Sequence, residues 1–252
     1  MKIAHITDIH LRQHIPGNVA LAERQVRRMP ELFPQALKQI QDCQPDILII
    51  TGDLLDAPLS WIDADKLGNL EEENREAALQ DYRLLYEILE DQDLPYVVLA
   101  GNHDLQSAMW NVFPQKDTVH CDGFDFHLFH DDETENHMPQ RLDDQLERFE
   151  ATLETHDESP QIHVQHYVLT PSIHEGYPHS YKHDRTHTQK IDDSGRVILS
   201  LSGHFHPGTE LIHLKNTYFT TGPAFCVAPF PYRIYEIDDK HVTMQQFDLG
   251  ID

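Results

Sequence analysis

Five short segments hold side chains able to bind metal ions: Asp8-Ile9-His10, Gly52-Asp53-Leu54-Leu55-Asp56, Gly101-Asn102-His103-Asp104, His166 and Gly203-His204-Phe205-His206. Carboxylate, imidazole and amide oxygen together suit transition ions such as Mn, Fe, Zn or Co. In extended chain, residues i and i+2 point to one side, so Asp8 and His10 can address one ion while Ile9 turns to the core. His204 and His206 repeat that spacing. Gly52, Gly101 and Gly203 precede the ligands, where the chain must turn sharply or pass close to a neighbour. The seven candidates Asp8, His10, Asp53, Asn102, His166, His204 and His206 are too many for one ion and suit two ions sharing a carboxylate. His163 competes with His166, but it lies inside a strand rather than at its end. With 19 histidines in the chain, each motif alone is weak. Their occurrence in order, each after an apolar run, is the specific signal.

Those apolar runs are the elements that must position the site. Ile3 to Thr7, Asp46 to Thr51 and Pro95 to Ala100 read as strands, the second through the unbroken run Ile47-Leu48-Ile49-Ile50 that suits a strand buried on both faces. Between them, residues 21–41 carry a helical period broken by Pro30 and Pro34, and residues 70–89 carry a cleaner one. Strand and helix in alternation predict a parallel sheet with covering helices. Sites in such sheets form beyond the carboxyl ends of the strands. Further on, Cys121-Asp122-Gly123-Phe124 predicts a hairpin, residues 140–155 a helix, and residues 162–165 and 196–201 strands ending at His166 and Gly203. Residues 171–190, rich in His, Pro and Tyr, show no period and read as a long loop. Short strands follow at 210–214, 217–221, 232–237 and 241–247, so this half reads as more antiparallel. The expectation is an α/β protein: two packed sheets with helices outside, in one domain spanning residues 1–252.

Composition narrows the partners. Of 252 residues, 43 are Asp or Glu and 19 are Lys or Arg, a formal charge of -24. Binding to a phosphate backbone is driven by cationic side chains, so non-specific nucleic-acid binding is disfavoured. Cys43, Cys121 and Cys226 stand far apart and form no CxxC pair; free thiols are expected. The N-terminus lacks the pattern of a secretory signal, and no apolar run reaches the length of a membrane span. A soluble, cytoplasmic protein is the resulting expectation; the oligomeric state is not written in the sequence.

Taken together, the five motifs resemble those of the calcineurin-like metallophosphoesterase superfamily, over about residues 2 to 206. The resemblance implies a four-layered α/β/β/α sandwich and a dinuclear site of Mn, Fe or Zn. It implies that Asp8, His10 and His206 bind the first ion, that Asn102, His166 and His204 bind the second, and that Asp53 bridges them. It further implies that His103 stands by the leaving-group oxygen as proton donor and that Asp56 orients it. The protein Ser/Thr phosphatases of this superfamily continue the second motif with Arg-Gly; here Ala57-Pro58 follows Asp56, so the substrate-clamping arginine of that branch is missing at that position.

The implied chemistry is hydrolysis of a small phosphodiester or phosphomonoester, a nucleotide among the candidates, by a metal-bridging hydroxide. Two cations about 3.5–4 Å apart would clamp the phosphoryl group. No Gly-x-Ser-x-Gly elbow or P-loop offers another mechanism. The alternatives are a nuclease and a non-catalytic metal-binding scaffold of the same fold. The segment from Thr170 to Lys190, with His174, Tyr177, His179, Tyr181, Lys182, His183, Arg185 and His187, is the expected specificity element.

Overall fold

The computed structural model describes residues 1–19, 21–134, 137–155, 159–174 and 180–251. Strand β1 (Lys2–Ile6) lies between β2 (Ile47–Ile50) and β12 (Pro231–Asp238), parallel to the first and antiparallel to the second. With β3 (Tyr96–Val98) and β13 (His241–Asp248) they form a five-stranded sheet in the order β13-β12-β1-β2-β3. A second, six-stranded sheet has the order β10-β11-β9-β8-β5-β4, from β4 (Thr118–Cys121), β5 (Phe124–Phe129), β8 (Gln161–Gln165), β9 (Val197–Ser202), β10 (Ile212–His213) and β11 (Tyr218–Thr221). A small ribbon pairs β6 (Asp132–Glu133) with β7 (Pro139–Gln140).

The strand period of two sorts side chains into three apolar layers. Ala4, Ile6, Leu48 and Ile50 pack outward under α1 (Met29–Asp42) and α3 (Glu72–Glu90) with Phe33, Leu37, Tyr82 and Leu85. Their neighbours Ile3, Ile47 and Ile49 point the other way, against Phe126, Leu128, Ile162, Val164 and Leu201 of the second sheet. On the far side of that sheet, Phe129 and Val197 meet Phe149 of α5 (Asp143–Glu154) and Ile191 of α6 (Asp184–Ser194). Helix, sheet, sheet, helix is the expected layering.

Several elements differ from the sequence reading. Residues 21–25 are not helical and Val26–Arg28 form a single 3-10 turn; α1 starts at Met29 with Pro30 in its first turn, where a missing N–H costs nothing, and it tolerates Pro34. Two short helices, α2 (Leu59–Lys66) and α4 (Gln106–Met109), were not expected. Of the expected loop 171–190, residues 184–190 instead form the first two turns of α6; residues 171–174 and 180–183 lie outside helix and strand as expected, and 175–179 fall outside the described residues. The buried residues of α6 are Asp184, His187, Ile191 and Asp192, so no aliphatic period marks it. The second sheet is not mainly antiparallel: β5, β8, β9 and β11 run parallel, and only the edge strands β4 and β10 are reversed. The hairpin between β4 and β5 is as expected, with positive φ at both Asp122 and Gly123, the requirement of a two-residue type I′ turn.

Candidate metal centre

The five motif segments follow the carboxyl ends of β1, β2, β3, β8 and β9, parallel strands of the two sheets. Their ends meet at one rim. Asp8, His10, Asp53 and His204 all adopt positive φ, at 52°, 49°, 51° and 68°. The extended i, i+2 geometry expected for Asp8 and His10 is therefore absent. Left-handed kinks at Asp8 and His10, on either side of Ile9, shape the pair instead. Such backbone is sparsely populated for non-glycine residues and persists only when its surroundings fix it. Here the loops hold one another through Asp8 N–H to Gly52 O (3.1 Å), His10 N–H to Asp53 O (2.9 Å) and Gly203 N–H to His166 O (2.8 Å). Gly101 is needed for proximity: a Cβ there would strike Asp53 and lie 2.7 Å from His166 Cε1.

Each candidate carboxylate is split between protein and site. Asp8 Oδ2 accepts from Thr7 Oγ1 (2.7 Å) and His204 N–H (3.0 Å). Its buried Oδ1 has no hydrogen-bond partner among the described residues and lies 3.4 Å from His206 Nε2 and 3.8 Å from His10 Nε2. Asp53 reaches in two directions, with Oδ2 3.4 Å from His10 Nε2 and Oδ1 3.6 Å from His166 Nε2. The amide of His103 donates to that same Oδ1 at 2.8 Å. Ligand atoms spaced by 3–4 Å are what an ion with bonds of about 2.0–2.2 Å draws around itself. Two such groups form, Asp8 with His10 and His206, and Asp53 with His166 and His204. Asn102 joins the second, its Oδ1 3.1 Å from His166 Nε2.

The protonation pattern fits cations. His166 Nδ1 donates to Thr51 O at 2.6 Å, which turns Nε2 toward Asn102 and Asp53. Burial opposes charge on this ring, yet Asp53 and Asp8 raise its pKa, so the surroundings call for positive charge at this point. His10 is held well below the ordinary range, by burial first and then by Arg24 and His103; His204 likewise, by burial and then His166. Both rings are thus neutral, the form that binds metal. Asp104 accepts from the amides of Leu54, Leu55 and Gly101 and from Tyr82 Oη, pinning two motif loops together. Burial and neighbouring Asp53 push it up to about 7, against the pull of those amides.

His103 lines the cavity in front of these groups, with its ring centroid 4.9 Å from that of His10. Asp56 sits differently from expectation. Its Oδ1 is 3.9 Å from His103 Nδ1, beyond hydrogen-bond reach, and 3.0 Å from Arg24 Nη1. Its Oδ2 is 2.9 Å from Arg12 Nη2. His10, Asp56 and His103 could also group around an ion, but two guanidinium groups already neutralise this carboxylate. The competitor His163 is settled by its side of the strand: buried among Phe129 and Phe149, it bonds Gln161 on the face away from the site. The expected specificity segment is described only in part. Tyr181 and His187 pack in the outer core, His174 pairs with Asp184 at 3.3 Å, and Tyr177 and His179 lie outside the described residues.

Sequence reading missed Arg12, Arg24, Thr7 and Thr51. Thr7, Thr51 and Arg12 adjoin or nearly adjoin the motifs, and that adjacency was the available signal. Arg24 lies 14 residues beyond His10, and only the fold returns it to the site.

Two packed mixed sheets carrying a carboxylate–imidazole cluster on their strand ends define a class of layered α/β proteins with a metal-competent rim. Within it, the chain belongs to the calcineurin-like phosphoesterase family, whose model matches residues 1–208. It is similar to a probable cyclic nucleotide phosphodiesterase of Psychrobacter arcticus, 24% identical over 116 residues, 45% of this chain and 35% of that one. It is also similar to the DNA double-strand break repair protein Mre11 of Methanopyrus kandleri, 26% identical over 119 residues, 45% of this chain and 21% of the relative. Those aligned stretches thus span about a third or less of the curated relatives' length. In fold it matches a dimetal phosphatase from Danio rerio, with a TM-score of 0.74 and 14% identity over 98% of this chain and 96% of that one. Divalent metal ions accompany the family, and the two side-chain groups above supply candidate sites for them. Among the described residues no helix is long and apolar enough to cross a membrane.

Proposed function

We propose that this protein hydrolyses a small phosphate ester at a site holding two transition-metal ions, of the Mn, Fe or Zn type. The observation that carries the reading is Asp53. Its two oxygens face His10 on one side and His166 on the other, as a ligand shared by two ions must. Asp8, His10 and His206 would hold one ion; Asn102, His166 and His204 would hold the other. When bound, such ions acidify water and neutralise phosphoryl charge.

The chain's own residues supply the rest. Thr7 and the His204 amide hold Asp8 by one oxygen and leave the other free to bind. Thr51 fixes the His166 tautomer. His103, at the cavity wall, donates the proton to the departing oxygen. Arg12 and Arg24 hold Asp56 beside it, so Asp56 acts as part of a charged wall and not as a direct hydrogen-bond partner of His103.

The test is turnover of bis-p-nitrophenyl phosphate and p-nitrophenyl phosphate by metal-stripped protein, with Mn, Fe, Zn and Mg restored singly. Metal-dependent hydrolysis supports the reading, and the preferred ester separates diesterase from monoesterase. Two bound ions with no turnover of either ester would favour a metal-binding scaffold. The likeness to Mre11 adds a single-stranded oligonucleotide to the panel; its cleavage would favour a nuclease.

A further inference from the structure

We propose that Arg24 is a substrate-binding residue whose guanidinium takes the phosphate oxygens of the ester; this rests on the hydrolase reading above. A cavity of about 900 Å³ opens in front of the candidate ligands, lined by Arg24 together with His103, Leu21, Leu59 and Phe205. Arg24 is part of its wall, yet its side chain is only 10% exposed. Nη1 donates to Asp56 Oδ1 at 3.0 Å and lies 3.4 Å from His103 Nε2. The buried Nε has no hydrogen-bond partner among the described residues. A guanidinium offers five donors in a planar fork, and a phosphate matches that fork.

The local charge points the same way. Asp56 is one carboxylate between two guanidinium groups. Arg12 engages its other oxygen, through Nη2 to Oδ2 at 2.9 Å, and its main-chain oxygen through Nε at 2.9 Å. At this corner two guanidinium groups thus face one carboxylate, while the rest of the wall carries Glu23, Asp53 and Glu133. Holding a cation there in a chain of formal charge -24 suits an anionic ligand.

The segment carrying Arg24 is built to hold still. Asp81 of α3 accepts from the amides of Gln13 (3.1 Å), His14 (2.8 Å) and Ile15 (3.1 Å). Arg27 donates to the carbonyls of Arg12 (3.0 Å), Gln13 (2.9 Å), Ile15 (2.7 Å) and Gly17 (3.1 Å). Next to Arg24, the amide of Gln25 bonds Cys226 O at 2.8 Å. A loop whose polar backbone is gathered by two side chains is preorganised, and a preorganised donor binds without a large ordering cost. The N-terminal loop therefore supplies one wall of the cavity, the wall that carries Arg24.

The experiment is calorimetric binding of inorganic phosphate to manganese-loaded protein, for wild type, Arg24→Ala, Arg24→Lys and Arg185→Ala. Metal content and thermal midpoint are measured on each sample. Arg24→Ala should bind phosphate ~10–100-fold more weakly, the effect of losing a charge-assisted hydrogen bond, with both ions retained. Arg24→Lys should fall in between, since lysine keeps the charge but not the fork, and it serves if the alanine variant does not fold. Free guanidinium ion should partly restore binding to Arg24→Ala. Arg185→Ala, on the exposed side of α6, should match wild type and so exclude a general charge effect. Equal phosphate affinity in wild type and Arg24→Ala, loss of metal along with phosphate, or no phosphate binding by wild type would each overturn the proposal. Ester turnover on the same samples separates the two readings: phosphate binding through Arg24 without any hydrolysis removes the hydrolase and leaves the anion site.

Discussion

Asp53 faces both halves of the centre, and its removal tests them together. If it is the shared ligand, Asp53→Ala should lose both ions, not one, by elemental analysis after gel filtration. Retention of two ions per chain would strip it of that role. His103 makes a sharper demand. As the donor to the leaving oxygen, it should matter most where that oxygen is basic. We expect His103→Ala to lose about 10²–10⁴-fold in kcat on an alkyl ester, the usual range for a general acid. On a nitrophenyl ester, whose leaving group needs little protonation, the loss should be much smaller. Equal losses on both would show that His103 acts otherwise. These residues were legible in the sequence because each follows an apolar strand at once. Arg24 was not, since nothing in the spacing between Leu21 and Arg28 says that the segment folds back over the strand ends.

At the scale of elements, the N-terminal loop depends on a buried carboxylate of a distant helix. Asp81→Ala leaves the amides of Gln13, His14 and Ile15 without their acceptor. We expect a stability loss of about 1–3 kcal/mol, seen as a lower urea midpoint with an unchanged slope. Because Arg24 rides on this loop, phosphate affinity should fall as well. A variant as stable as wild type would show that Arg27 and the Gln25–Cys226 bond hold the loop unaided. The strands were readable from sequence where a continuous apolar run stood alone, as at Ile47 to Ile50. The helix α6 was not, because three of its four buried residues, Asp184, His187 and Asp192, are polar and only Ile191 is aliphatic. Parallel pairing in the second sheet was hidden for a related reason: α5 and α6 cover it on one side, and neither the polar α6 nor the helix-free link from β9 to β11, which carries β10, advertises a crossover.

Over the whole molecule, histidines buried away from the centre set the response to acid. Burial, before any neighbouring charge, brings His127 and His187 each down to about 4, and His163 lies well below its ordinary range. The unfolded chain protonates these rings near pH 6.5, whereas the folded chain does not until the pH is much lower. Between about pH 6.5 and 4 the unfolded state therefore binds more protons, and stability falls as pH falls. Urea midpoints measured on metal-free protein should drop steadily across that window. His187→Phe, which keeps the ring contact with Phe149, should flatten the slope. A flat wild-type profile from pH 6.5 to 4 would contradict this account.

The four left-handed residues at the rim have a historical consequence. Asp8, His10, Asp53 and His204 each hold a conformation that costs a non-glycine residue on the order of 1–3 kcal/mol. Glycine would relieve that cost at any of them, and asparagine would ease it at most. Drift in a lineage that no longer used the centre would thus run downhill, trading these side chains for stability within a few substitutions. All four persist here together. That combination is what the metal-binding reading proposed above expects of the rim.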